Sequence, residues 1–459
     1  MPRVLMISFT VIISVNLIFI LGLNFPLWRI SDALKTSTAL AAKLACSGTF
    51  ISGFSPEQNV KDLSSYSPAI RLNHFEYDME NQIVRADFMG FAKVSAHFRP
   101  GVGCSLQYGD SAALDLVRVA PLQASDELWP AGESVTTINP VLQSFLNQTL
   151  QQDNQQGFDT RALVVVKDGR IVAESYKAGI TPTTPLLGWS MAKSVVAIML
   201  GHMEYRGQLV ADEQNLFPEW RDDNRADIRL QQLMQMTSGL AFDESYLPGS
   251  DVTRMLFTQH SASEYALTSP LEHAPGEYFY YSSGTSNLLT RLLYQRLGGT
   301  PQELYDYLYQ DFFRPLGMTS SWFEPDASGI LVGSSYPYFS ARDWARLALL
   351  MLNEGELNGV RMLSPDWVQR ATVSNSSSND PRYGYQFWLN GQGEQKRSKN
   401  LPEDMYFMQG NRSQVVAIFP SQNLAVIRLG WSSENYSKSR HFRPILTEVE
   451  KQNSGTVMQ

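Results

Sequence analysis

The sequence predicts an α+β fold: one antiparallel sheet assembled from both ends of a main domain, with helices between those ends. Three observations carry this. Leu163-Val164-Val165-Val166 and Ile171-Val172-Ala173 flank Lys167-Asp168-Gly169, the pattern of a tight hairpin. A second apolar pair, residues 415–419 and 424–429, turns at Pro420-Ser421-Gln422-Asn423. Between the hairpins the pattern is mainly helical, as over residues 194–205, 228–236, 286–297 and 341–353. Strands gathered at both ends of a helical middle make an α+β architecture and not a strand–helix alternation.

A chain of 459 residues exceeds what one hydrophobic core usually manages, so a second unit beside the main domain is expected. With 43% hydrophobic and 18% charged residues it belongs among folded proteins. The net charge is −8 and no run of Lys or Arg interrupts it, which argues against a nucleic-acid partner. Six histidines and two cysteines fall in no C-x-x-C, H-E-x-x-H or H-x-x-x-H spacing, so no metal is expected. Nor does a G-x-x-x-x-G-K-[ST] or G-x-G-x-x-G loop open a helix, so no nucleotide cofactor is expected.

The elements follow in order. Residues 4–24 carry no charged side chain and are mostly Val, Ile, Leu, Phe and Met. At about 1.5 Å per residue such a run spans the roughly 30 Å hydrocarbon core of a bilayer. No small-x-small cleavage pair follows, and Trp28 suits an interfacial ring. The expectation for residues 1–29 is an uncleaved transmembrane helix, with a cleaved signal or a buried core helix as alternatives. The protein would then be single-pass in the cell membrane, its main domain extracytoplasmic, periplasmic in a Gram-negative cell. Residues 30–136 read as a small α/β segment: a helix over 31–45, then strands over 74–79, 82–89 and 92–98. It holds both cysteines, Cys46 and Cys104, which an oxidising compartment would join. Two buried free thiols are the alternative. The main domain is expected over 137–447, and a frayed tail over 448–459.

Ser190-Met191-Ala192-Lys193 stands where an apolar helical run begins, which puts Ser190 and Lys193 one turn apart on one face. A helix amino terminus favours a developing alkoxide, and burial lowers a lysine pKa toward a range where the amine can act as base. S-x-x-K is a motif of penicillin-interacting serine enzymes, but Ser and Lys at this spacing also occur as ordinary capping and solvation. The surroundings add to it. The run 275–284, PGEYFYYSSG, precedes the predicted helix 286–297, and LMQMTSGL occupies residues 233–240. With these, the chain resembles the serine hydrolases related to class C β-lactamases. That family includes D-aminopeptidases, some esterases and 6-aminohexanoate-dimer hydrolase. Gly333-Ser334-Ser335, the run 341–346 and Tyr383-Gly384-Tyr385 look like further landmarks, and the resemblance covers about residues 137–447.

The resemblance implies a β-lactamase-like antiparallel sheet flanked by helices, with a helical subdomain, acting on a small-molecule or peptide-like ester or amide. By the same resemblance Ser190 would be the nucleophile of an acyl-enzyme, Lys193 its base or proton relay, and Tyr281 a second acid/base. Ser283 would complete the Y-x-[NS] triplet, and backbone N–H groups of Ser190 and about Gln414 would form the oxyanion hole. Asn411 stands where the family carries Lys or His, so Arg412 supplies a cation only if it points inward. Ser283 in place of Asn looks nearer to the 6-aminohexanoate-dimer hydrolase and esterase branch, in which Tyr246 would contact substrate. Blander readings remain: Tyr281 as a packed aromatic beside Tyr278 and Tyr280, and Tyr246 as a surface-loop residue. Two other functions compete. One is a non-catalytic or weakly catalytic penicillin-binding-like sensor of the cell envelope. The other is an α/β-hydrolase, because Gly188-Trp189-Ser190-Met191-Ala192 is near G-x-S-x-G; the antiparallel hairpins disfavour it.

Overall fold

A computed structural model describes residues 26–456. The two hairpins meet in one six-stranded antiparallel sheet in the order Trp388–Leu389, Tyr406–Gly410, Gln414–Phe419, Leu424–Gly430, Thr160–Lys167, Arg170–Tyr176. The join is the pairing of Leu424–Gly430 with Thr160–Lys167, where Val426 faces Val165 and Ile427 faces Val164. Asp168 and Gly169 turn the first hairpin with φ of 50° and 76°, the double positive-φ turn that suits strand twist.

Successive strand residues point to opposite faces, and here both faces are covered. Val164, Val166, Ala425 and Ile427 enter a core shared with Val195 and Leu347. Leu163, Val165, Ala417 and Val426 enter a second core with Leu142 and Leu146 of the helix Pro140–Gln155 and Phe442 and Ile445 of the helix Lys438–Thr456. That is why the first strand reads as an unbroken apolar run. The expected frayed tail begins inside the last helix, where Val449 is buried. The helices Ala192–Tyr205, Ser283–Arg296 and Ala341–Leu352 lie on the larger core.

The amino-terminal segment is a four-stranded meander, Asn73–Asp78, Ile83–Phe88, Phe91–Arg99 and Gly103–Leu106, crossed by the helix Ile30–Phe50. Ala39, Ala41, Ala42 and Ala45 are fully buried, and small side chains let the helix lie close to Val84, Ala86 and Ala96. These residues share one core with the main domain. Cys46 and Cys104 form a disulfide, with Cα atoms 6.2 Å apart, that ties this helix to the fourth strand. Beside it, buried Lys43 pairs with Glu324 of the main domain, and the Cys104 N–H donates to Glu324 Oε1 at 2.6 Å.

The expected transmembrane helix is corrected. Among the described residues no helix is long and apolar enough to cross a membrane. The helix Ile30–Phe50 has 21 residues, but it carries Asp32, Lys35 and Lys43 and packs its apolar face on the meander. Residues 4–24, where the spanning helix was expected, lie outside the described residues. The transmembrane part of the fold class, the membrane partner and the single-pass localisation lose their basis accordingly.

Candidate active site

Ser190 sits in the one-turn 3-10 helix Trp189–Met191, which runs directly into Ala192–Tyr205. Trp189 adopts φ +50°, a costly conformation for a bulky residue, and is held by Tyr66 and Trp431, with ring centroids 5.9 and 6.0 Å away. The neighbouring strand Tyr406–Gly410 passes against this turn. A Cβ on Gly410 would fall 2.1 Å from the Gly188 carbonyl oxygen, so only glycine lets the strand lie that close.

Lys193 occupies the first turn of Ala192–Tyr205, with its side chain buried. Its Nζ lies 3.2 Å from Ser190 Oγ, 3.3 Å from Ser283 Oγ and 3.2 Å from the Ser334 carbonyl oxygen. Burial lowers its pKa to about 8, against the nearby Glu244 charge, which favours the ammonium form. Tyr281 precedes Ser282, whose hydroxyl caps the helix Ser283–Arg296 by accepting the Thr285 N–H at 3.2 Å. The Tyr281 ring stacks on Trp388 at 5.1 Å and meets Tyr383 edge-on, and Lys193 Nζ stands 4.8 Å from its centroid. Burial pushes the Tyr281 phenol well above the ordinary tyrosine range, while its hydrogen bond with Ser190 acts the other way. It is therefore a neutral phenol at neutral pH.

Ser283 is held by Glu244. Its hydroxyl donates to Glu244 Oε1 at 2.5 Å and its backbone N–H to Oε2 at 2.8 Å, placing a carboxylate at the helix amino terminus. Tyr246, with φ +59°, is 43% exposed and donates its hydroxyl to Glu244 Oε1 at 3.3 Å. A cleft of about 480 Å³ opens over Ser190, walled by Tyr66, Trp189, Tyr246, Tyr281 and Trp388. Glu244 and Asn411 also line it, and no Lys or Arg does among the described residues.

The structure thus brings Ser190, Lys193, Tyr281 and Ser283 together, with Tyr246 and Asn411 at the cleft wall. Gln414 is placed elsewhere. It is buried and pairs with Gly410 in the strand ladder; its side chain accepts the Gly430 N–H at 2.9 Å and donates to the Arg412 carbonyl at 3.2 Å. The edge that faces the cleft is Gln409-Gly410-Asn411. Arg412 does not point inward: its guanidinium donates to the carbonyls of Ser65 and Ser432 and lies 4.6 Å from the Tyr66 ring centroid. Sequence reasoning missed Glu244, Trp388 and Tyr66. Glu244 sits two residues before Tyr246, but nothing local marks its reach to Ser283; Tyr66 and Trp388 come from elements far from the motif. No group of three or more His, Cys, Asp or Glu fit to hold a metal occurs among the described residues.

Comparison with known proteins bears on this arrangement. The family model described as Beta-lactamase matches residues 146–443. The 6-aminohexanoate-dimer hydrolase of Paenarthrobacter ureafaciens is 24% identical over an alignment of 282 residues that covers 57% of this chain and 68% of that protein. Among solved structures, a candidate 6-aminohexanoate-dimer hydrolase of Bacillus anthracis superposes with a TM-score of 0.59 at 16% identity, covering 75% of this chain and 93% of that one. EstCE1, a hydrolase with promiscuous acyltransferase activity, gives 0.56 at 16% identity over 66% and 97% of the two chains. At such identities the solved structures speak to the fold alone.

Proposed function

The chain belongs to the Beta-lactamase family and is a serine hydrolase; from that premise we propose that it cleaves uncharged esters or linear amides through an acyl-enzyme on Ser190. The observation that carries this is the set of partners around Lys193. A neutral amine has two N–H groups and one lone pair. The Ser283 hydroxyl, committed as donor to Glu244, takes one N–H, and the Ser334 carbonyl takes the other. The lone pair is left for Ser190, 3.2 Å away.

In the reaction Lys193 takes the Ser190 proton as Oγ bonds to the carbonyl carbon. The oxyanion is held by the N–H of Ser190 and a backbone N–H on the Gly410–Asn411 edge. As the carbon–heteroatom bond breaks, the neutral Tyr281 phenol gives its proton to the leaving group and regains one from the Lys193 ammonium. Water then attacks the acyl-enzyme by the same route in reverse. The cleft disfavours anionic substrate groups, because its charged wall residue is the carboxylate Glu244, and favours apolar ones, because aromatic rings make up half of the other lining residues.

The test is covalent labelling with a fluorophosphonate and with a fluorescent penicillin, each adduct located by mass spectrometry. The expected result is a fluorophosphonate adduct on Ser190 and little or no penicilloyl adduct. A fluorophosphonate adduct on a different residue, or none, would overturn the nucleophile assignment.

A further inference from the structure

Tyr66 lies outside the matched segment 146–443, yet it forms part of the wall of the cleft that holds Ser190. It ends the helix Pro56–Tyr66, whose start is capped by Ser55. This helix is fixed to the main domain at several points. Asp62 pairs with Arg161 at 2.6 Å, and the Trp431 indole N–H donates to the Asp62 carbonyl at 2.8 Å and the Ser65 hydroxyl at 3.0 Å. The Tyr66 ring is therefore held in place. It stacks on Trp189, the residue before the nucleophile, and its hydroxyl accepts from Asn411 Nδ2 at 3.4 Å. The Arg412 guanidinium lies against the same ring and on the Ser65 carbonyl. One residue of the amino-terminal segment thus engages both side chains at the place where a cation could enter the cleft.

We propose that Tyr66 is a specificity-determining residue: it closes the Asn411 end of the cleft with an uncharged aromatic wall and thereby limits the substrate group bound there to a short, apolar one. A fixed ring sets length by exclusion, since one methylene more or less in an apolar pocket changes kcat/KM by about tenfold or more. It also sets charge, because Asn411 and Arg412 are engaged by this segment and present no cation. The inference rests on the serine-hydrolase reading above and adds to it the chemical class of one substrate group.

The test compares the native enzyme with Tyr66→Ala, Tyr66→Leu and Tyr66→Phe on two ester series. One varies the acyl chain, p-nitrophenyl butyrate against p-nitrophenyl octanoate; the other varies the alcohol, ethyl butyrate against hexyl butyrate. In Tyr66→Ala the long-to-short ratio of kcat/KM is expected to rise roughly tenfold in one of the two series, chiefly through KM. Tyr66→Phe, which keeps the ring, is expected to hold the native ratio. Fluorophosphonate labelling of Ser190 shows whether each variant keeps an intact site; if Tyr66→Ala does not label, Tyr66→Leu takes its place. A labelled variant without the ring whose ratio is unchanged in both series overturns this inference and leaves the hydrolase reading standing. A native enzyme that takes no label on Ser190 and turns over none of the esters overturns both.

Discussion

Ser283 donates its hydroxyl to Glu244 at 2.5 Å, and so meets Lys193 only as an acceptor. In the mechanism we propose, the carboxylate fixes the rotor of a residue that touches Lys193, and in doing so aims the lysine lone pair at Ser190. Glu244 has two opposed effects on the amine: it orients it, and its charge favours the protonated form.

Glu244→Gln should separate the two. Without the negative charge the ammonium form is less favoured, so the Lys193 pKa falls below its native value of about 8. The rising limb of kcat/KM against pH should move to lower pH. Its plateau should drop by roughly tenfold, the scale of a lost hydrogen bond to a charged group. A full pH–rate profile on p-nitrophenyl butyrate reads both effects. A limb that stays in place or moves to higher pH contradicts the assignment.

The three groups at the centre should respond in different ways. Ser190→Ala is expected to abolish hydrolysis and labelling. Lys193→Ala should slow acylation by at least about 10²-fold, the lower range of general-base contributions. Tyr281→Phe should cost a comparable factor, although its ring remains stacked on Trp388. Burst kinetics separate acylation from deacylation. Unchanged acylation in Tyr281→Phe would reduce Tyr281 to the packed aromatic that its tyrosine-rich neighbourhood also allows.

How much of this was legible in the sequence follows from how local each feature is. Ser190 and Lys193 share one helical turn, so their spacing alone brings them together. The sheet showed in its apolar runs because both faces are buried. The strand edge that lines the cleft is Gln409-Gly410-Asn411 and not Gln414, for a backbone reason. Arg412 and Ser413 both take positive φ, 57° and 64°, which ends one strand at Gly410 and starts another at Gln414. The strand Tyr406–Gly410, with no clear alternation of apolar and polar residues, gave no warning of that break. Glu244, Trp388 and Tyr66 reach the site only through tertiary packing, which no periodicity encodes.

The Cys46–Cys104 bond closes a loop between residues 58 positions apart. Chain entropy for a loop of that length gives about 4 kcal/mol of stabilisation. Both cysteines are fully buried, so a reductant should act mainly on the opened chain. The double variant Cys46→Ser/Cys104→Ser should therefore unfold at markedly lower urea. A midpoint unchanged from the oxidised protein would show that the packing of the helix Ile30–Phe50 holds the segment by itself.

The last prediction concerns β-lactams, which carry a carboxylate beside the reacting ring. A lysine on the strand edge could pair that carboxylate; Asn411 cannot, and charge-assisted hydrogen bonds are roughly twice as strong as neutral ones. Arg412, the cation next to Asn411 in the chain, is engaged by the carbonyls of Ser65 and Ser432 and the face of Tyr66. Turning it inward would break these contacts and leave two carbonyls in need of donors. Glu244 in the cleft wall would meanwhile repel the incoming anion. Nitrocefin should consequently be turned over slowly or not at all, and p-nitrophenyl butyrate should be the better substrate. Side-by-side kcat/KM values decide this. If nitrocefin is preferred, Arg412 must leave its partners when substrate binds, and Arg412→Ala should then abolish the preference while sparing butyrate hydrolysis.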